Sequence, residues 1–201
     1  MTNTGIESDD FGVFLQARSK RIFDELKTRI ELDRKETENE EIEELISGGE
    51  TDIVEFKSTL RYDLKTKSVN KILEYVVAKT IAAFLNTGGG HLLIGVDDKQ
   101  NILGLSEDMI TLKKQNVDGF ELQLIQVIKK YIGNEFSSHI KISFPECEGA
   151  YICLVKVSKS SSPVFIIFEG KEDFFIRAGC SSQPLSRVEQ SAYEKEHWSN
   201  N

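Results

Sequence analysis

The 201-residue sequence has few cysteines and no long run of apolar residues. No stretch of about 18 apolar side chains occurs, so no helix is expected to cross a bilayer. The first residues lack the basic and apolar regions of a secretory signal. The cysteines are odd in number and lack C-x-x-C spacing: Cys147, Cys153 and Cys180. We therefore expect reduced thiols in a cytoplasmic protein.

Residues for several common chemistries are also missing. The three histidines, His91, His139 and His197, are too scattered to form a metal-ligand motif. No nucleophile elbow is present, and no serine or cysteine has a base nearby in sequence. Nucleophilic catalysis is therefore a poor hypothesis for this chain.

The net charge of −8 argues at first against a nucleic-acid partner. The charge is uneven, however, because residues 1–49 hold 13 acidic and 7 basic side chains. Residues 56–80 hold six basic side chains against two acidic ones. This basic stretch is either an ordinary solvated surface or a site for an anionic polymer.

Two regions differ in pattern. Residues 1–48 carry apolar side chains at helical spacing, Ser8–Asp10 offer caps, and Ser47–Gly49 end the helix. This predicted helical arm is expected to pack on the domain, on a second copy or on another protein, and the sequence leaves these open.

Residues 49–201 mix strands and helices without regular alternation, which predicts an α+β domain with a mixed or largely antiparallel sheet. The predicted helices are 70–85, 120–132 and 186–198. The predicted strands are 51–57, 92–97 with hairpin partner 102–105, 140–144, 151–157, 164–168 and 174–177; residues 179–182 are predicted as a loop.

Three carboxylates could converge if the first two strands pair: Glu50, Glu55 and Asp97. Three oxygen ligands suit Mg²⁺ or Mn²⁺, which can activate a water for phosphate cleavage. Lys57 would then stabilise the developing anion. Exposed strand residues and a turn aspartate are the simpler interpretation of the same residues.

The turn of Asn86, Thr87, Gly88, Gly89 and Gly90 joins a helix to a strand. Its backbone N–H groups could cradle a phosphate, although the Lys-Ser/Thr pair of a P-loop is absent. A tight helix-to-strand connection explains the glycines equally well.

The ordered motifs Glu50-x4-Glu55-Phe56-Lys57, Ile81–Gly90, Leu92–Asp98 and Phe175–Ser182 resemble the Schlafen-type AlbA-like domain over residues 49–185. The resemblance implies an α+β domain that binds nucleic acid. Animal members include metal-dependent endoribonucleases that cut transfer and ribosomal RNA with three acids. These correspond to Glu50, Glu55 and Asp97, or Asp98 if the register slips.

Two departures from those animal enzymes stand out. This chain has one lobe where they have two, and it lacks their Cys/His zinc site. A homodimer could supply the second lobe.

The hypothesis is thus a nucleic-acid-binding protein and possible metal-dependent endonuclease, with RNA favoured over DNA. Its expected phosphate contacts are Lys57, Arg61, Lys65, Lys67, Lys71 and Arg177. The alternatives are a module that binds ATP at Asn86–Gly90, or a non-catalytic DNA-binding or assembly protein that contacts its partner through residues 1–48.

Overall fold

The structure is a computed structural model that describes residues 8–198, with side chains for residues 12–34 and 36–198. The chain divides into two compact units, between Ile42 and Glu43. No helix in the described part of the chain combines the length and the apolar character that a membrane crossing requires.

The first helix, α1, spans Ser8–Gly48 and is 41 residues long. It ends as predicted, because Gly49 adopts φ +73° and donates its N–H to the Ile46 carbonyl. The predicted caps at Ser8–Asp10 lie outside the described side chains. Large apolar side chains along this helix are exposed: Val13, Phe14, Leu15, Ile22, Phe23, Leu26, Ile30 and Leu32.

The second unit contains the remaining elements. The helices are α2 Lys71–Leu85, α3 Ser106–Met109, α4 Val117–Tyr131 and α5 Arg187–Trp198. The strands are β1 Val54–Lys57, β2 Tyr62–Asp63, β3 Ser68–Val69, β4 Gly89–Ile94, β5 Ile140–Ser143, β6 Glu146–Cys147, β7 Ala150–Tyr151, β8 Cys153–Ser158, β9 Ile166–Phe168, β10 Lys171–Asp173, β11 Phe175–Ala178 and β12 Ser181–Pro184.

The main sheet has four strands in the order β1-β4-β8-β5. β1 runs parallel to β4, and the other two pairs are antiparallel, so the predicted α+β fold with a mixed sheet is confirmed. Glu55 lies beside Leu92, and Lys57 lies beside Ile94. The two stretches that carry the predicted acidic site are therefore neighbours.

One face of this sheet packs against α2 and α4. Strand alternation places Leu92, Ile94 and Val155 on that face, where they join Phe84 and Leu124 in the main core. Helix α2 begins at an Asn70 cap, whose side chain accepts the Ile72 N–H.

Several local predictions differ from the structure, and the predicted strand 151–157, for example, is divided into β7 and β8. The predicted hairpin 102–105 is reduced to a single bridge between Val96 and Ile102. The second strand starts earlier, at Gly89, and ends before Gly95, whose φ of +97° breaks the extended backbone. The predicted loop 179–182 turns into β12, which pairs with β11.

Candidate functional site

The free edge of the main sheet is covered by two of the predicted site residues. β1 is an edge strand, and its Phe56 N–H donates to Oε1 of Glu50 at 2.9 Å. The Phe56 carbonyl accepts a hydrogen bond from Nζ of Lys57 at 2.7 Å. Glu50 and Lys57 thus satisfy the outward backbone groups that another chain could otherwise pair with.

Glu55 is the centre of a buried ionic network. Its Oε1 lies 2.5 Å from Nζ of Lys57, and its Oε2 lies 2.8 Å from Nη1 of Arg177. The Arg177 side chain is only 1% exposed and also donates to the carbonyls of Thr51 and Asp52. Arg177 therefore fastens the segment before β1 to β11, and its donors serve the interior instead of facing a phosphate.

Asp97 begins the turn that follows β4. Its carboxylate accepts hydrogen bonds from the Lys99 N–H, the Asn101 N–H and the Asn101 side-chain amide, each at 2.9 Å. The Asn101 amide, followed by the Asn101 N–H, holds the pKa of Asp97 below its ordinary value. The neighbouring Asp98 is exposed.

The pairing of β1 with β4 brings these acids into one region without forming a metal cluster. The Gly95 N–H donates to the Lys57 carbonyl at 2.8 Å, so Asp97 lies two residues past this junction. Each of Glu50, Glu55 and Asp97 is already bonded to protein donors. Among the described residues, no three His, Cys, Asp or Glu side chains are grouped so that they could hold a metal ion. In this arrangement the three carboxylates are held by protein donors, and the Mg²⁺ or Mn²⁺ assignment stays a prediction.

The predicted phosphate loop is packed into the fold. Asn86 is fully buried, donates to the carbonyls of Val164 and Phe175, and accepts the Val164 N–H. Gly89 and Gly90 belong to β4, where they lie beside Ser158 and Val157 of β8.

Steric contact explains why these positions are glycine. A Cβ at Gly89 would overlap the Val157 carbonyl, and a Cβ at Gly90 would overlap the Phe84 ring. Of the three glycines, Gly88 alone has open space around it. The Thr87 hydroxyl donates to the Ala83 carbonyl and accepts a hydrogen bond from the Arg177 N–H. The geometry thus favours the tight connection, and ATP binding at this turn stays a prediction.

Three exposed lysines lie on a small hairpin formed by β2 and β3, together with the start of α2. We call residues 61–71 the basic hairpin. Lys65, Lys67 and Lys71 are exposed, and within the described side chains none of them forms an ion pair. Arg61 is more enclosed, with its Nε 3.3 Å from Oε1 of the buried Glu74.

A residue that sequence reasoning missed fixes the base of this hairpin. The Asp108 carboxylate, 1% exposed, accepts the N–H groups of Leu60, Arg61 and Tyr62 at 2.6, 2.9 and 2.8 Å. Burial raises the pKa of Asp108, while the three N–H donors oppose that rise. No local signal marks this role, because the donors lie at least 46 residues earlier in the chain.

Comparison with known proteins agrees with this architecture. The family model described as "Schlafen, AlbA_2" matches residues 50–186, which is more than half of the chain. The chain therefore belongs to the Schlafen AlbA_2 family, and the resemblance read from the motifs is confirmed. Membership favours nucleic-acid binding.

A solved structure shows the same fold. The crystal structure of the DIP2311 protein from Corynebacterium diphtheriae matches with a TM-score of 0.51 and 20% sequence identity. The match covers 73% of this chain and 27% of that chain, so this chain spans about a quarter of that relative.

Proposed function

We propose that this chain binds nucleic acid and that the basic hairpin contacts the phosphate backbone. The observation that carries the proposal is the exposure of Lys65, Lys67 and Lys71 on one hairpin of a Schlafen AlbA_2 domain. Lysine ammonium groups bind phosphates as point charges and release counterions from the polymer. The negative net charge is compatible with this surface, since residues 1–49 carry most of the acidic excess.

The test is a fluorescence anisotropy titration of the full chain with labelled transfer RNA and with a short DNA duplex. The triple variant Lys65→Ala, Lys67→Ala, Lys71→Ala should bind more weakly. Its salt slope should fall by about 0.7–0.9 for each phosphate that is no longer neutralised. A matched triple variant of exposed lysines elsewhere, Lys113→Ala, Lys171→Ala, Lys195→Ala, should bind like the wild type. Equal binding by both triples would exclude the hairpin as the contact surface.

We further propose that the chain cleaves the nucleic acid that it binds. It would require Glu50, Glu55 and Asp97 to exchange their present protein donors for Mg²⁺ or Mn²⁺, with Lys57 beside them. Incubating transfer RNA and plasmid DNA with the chain, in Mn²⁺ and in chelator, tests this directly. Products that appear with Mn²⁺ only, and that disappear in Asp97→Ala, would support an endonuclease with RNA or DNA as its substrate.

We also propose that α1 mediates assembly, as a homodimer or with another protein. Support comes from the exposure of Leu15, Ile22 and Leu26 along one helix. The full-length variant Leu15→Glu, Ile22→Glu, Leu26→Glu should have a lower mass in light scattering than the wild type if the helix self-associates. If the wild type and the variant both have the mass of a monomer, the homodimer is excluded. Contact with another protein is then the remaining form of this proposal. No disulfide joins Cys147, Cys153 and Cys180 within the described residues, which supports the cytoplasm as the proposed compartment.

A further inference from the structure

The basic hairpin has two faces of different chemistry. Strands β2 and β3 pair so that Tyr62 lies directly beside Val69, and Asp63 lies directly beside Ser68. Residues in register share a face, and neighbours along a strand alternate between faces. The apolar pair therefore lies on one face of the ribbon and the polar pair lies on the other. We call the face of Tyr62 and Val69 the apolar face of the hairpin.

The polar face is closed by hydrogen bonds within the hairpin. The Asp63 carboxylate accepts the Lys65 N–H at 2.9 Å and the Thr66 N–H at 3.1 Å. The hydroxyls of Thr66 and Ser68 lie 3.0 Å apart, within hydrogen-bond distance. The Lys67 N–H also donates to the Asp63 carbonyl, at 2.8 Å. These bonds fix the turn that presents the exposed lysines of the hairpin.

The apolar face is open to solvent. Val69 is 43% exposed, and Leu64 in the adjoining turn is 42% exposed. The ring of Tyr62 is half-buried, and among the described residues it stacks on no other aromatic ring. The Tyr62 backbone is held in place, because its N–H donates to the buried Asp108 carboxylate and its carbonyl accepts the Thr59 hydroxyl at 2.7 Å. The hairpin thus presents, on a fixed backbone, an aromatic ring without a ring partner.

Cations border this apolar face. Lys65 and Lys67 lie in the turn, Lys71 begins α2, and all three are exposed. Binding of phosphates alone requires the cations but gains nothing from exposed apolar side chains beside them. A polymer that offers both phosphates and accessible base faces matches both features. In a duplex the base faces are stacked inside, whereas unpaired nucleotides expose theirs to aromatic and apolar side chains.

We propose that the apolar face of the hairpin is a stacking site for an unpaired base, with Tyr62 as the residue that the base contacts. The inference rests on the proposed nucleic-acid binding and names its substrate class as unpaired nucleotides, in a single strand or in a loop. The lysines then neutralise neighbouring phosphates, and the clamped backbone lowers the cost of ordering the site. Because every base has a face that can stack, we expect little sequence preference.

The experiment is an anisotropy titration of the full chain with a labelled single strand and with a duplex of the same sequence, over a range of salt concentrations. The wild type should bind the single strand more tightly. Tyr62→Leu keeps an apolar side chain but removes the ring, so it should weaken single-strand binding about tenfold and leave the salt slope unchanged. Tyr62→Phe keeps the ring and should bind like the wild type. The control Tyr151→Leu, which removes a 46% exposed ring from β7, should also bind like the wild type.

The outcomes separate this inference from the proposed function. If Tyr62→Leu binds the single strand like the wild type while the lysine triple variant of the hairpin binds weakly, the ring does not contact a base and only this inference fails. An equal loss for single strand and duplex in Tyr62→Leu would indicate a distorted hairpin, and a wild type that prefers the duplex would have no need of a stacking site; either result overturns the inference. If the wild type binds neither form, the proposed function fails and this inference fails with it.

Discussion

Nη1 of Arg177 lies 2.8 Å from Oε2 of Glu55, although 122 residues separate them in the chain. Both side chains are largely shielded from solvent, with Arg177 1% and Glu55 12% exposed. A buried ion pair of this kind is costly to break, because the remaining partner is left as an uncompensated charge. The relationship assigns Glu55 a structural role that a metal-ligand prediction did not include.

Glu55→Gln should therefore lower the free energy of unfolding by about 3 kcal/mol, since the Arg177 charge loses its counter-charge. Glu50→Gln is the matched control. Its amide oxygen can still accept the Phe56 N–H, so we expect a loss of less than about 1 kcal/mol. Urea unfolding followed by circular dichroism measures both variants.

A metal-ligand role for Glu55 predicts the opposite pattern. Adding Mn²⁺ would then raise the unfolding midpoint of the wild type, because a ligand that binds only the folded state stabilises it. Glu55→Gln without metal would be as stable as the wild type. If both results were observed, the ion pair between Glu55 and Arg177 would contribute little to the stability of the fold.

Two glycines that follow α2, Gly88 before β4 and Gly90 within it, should respond in opposite ways to alanine. A Cβ at Gly90 would overlap Phe84 and lie 2.7 Å from the Ile53 carbonyl, so Gly90→Ala should cost at least about 1–3 kcal/mol. Gly88→Ala meets no atom within 4 Å and should leave stability unchanged or slightly raised. Thermal unfolding compares the two. Calorimetry with ATP adds a check, because ATP binding that Gly88→Ala abolishes would restore the phosphate-loop interpretation.

Much of the fold could be predicted from the sequence because it depends on local patterns. The helical period of residues 70–85 and the alternation around Val54 and Phe56 predict α2 and β1 within a few residues. Glycine at position 49 predicts the end of α1 for a local reason as well. The β12 strand was missed because its pairing with β11 involves polar residues that carry no hydrophobic alternation.

The site was harder to predict because the role of each residue depends on partners that are far away in sequence. Glu55 has the same local pattern whether it faces solvent or Arg177. Asp108 lies in the first turn of α3, where an acidic residue is common. Only the folded chain brings three N–H groups to its carboxylate.

Asn86 should be among the most sensitive polar positions of the domain. Its side chain makes three hydrogen bonds in the interior, to both backbone groups of Val164 and to the Phe175 carbonyl. Asn86→Ala leaves these groups without partners and should cost about 3 kcal/mol or more. Asn70→Ala, which removes the cap of α2 at a less buried position, should cost about 1 kcal/mol in the same urea titration. Equal losses would mean that water replaces the Asn86 amide in the interior.

Asp97 should make the stability of the chain depend on pH in the acid range. Hydrogen bonds from Asn101 hold the pKa of Asp97 below its ordinary value of 3.8. A group whose pKa is lower in the folded state contributes stability above its unfolded pKa and loses it as the pH falls through the folded pKa. The difference in unfolding free energy between the wild type and Asp97→Asn should therefore be constant near neutral pH and shrink below about pH 4. Asn101→Ala, which removes the largest cause of the shift, should make that decline smaller, because the pKa of Asp97 in the folded state then lies closer to its ordinary value. Parallel profiles for the wild type and Asp97→Asn down to about pH 2.5 would contradict the assignment, because the carboxylate would then titrate alike in both states.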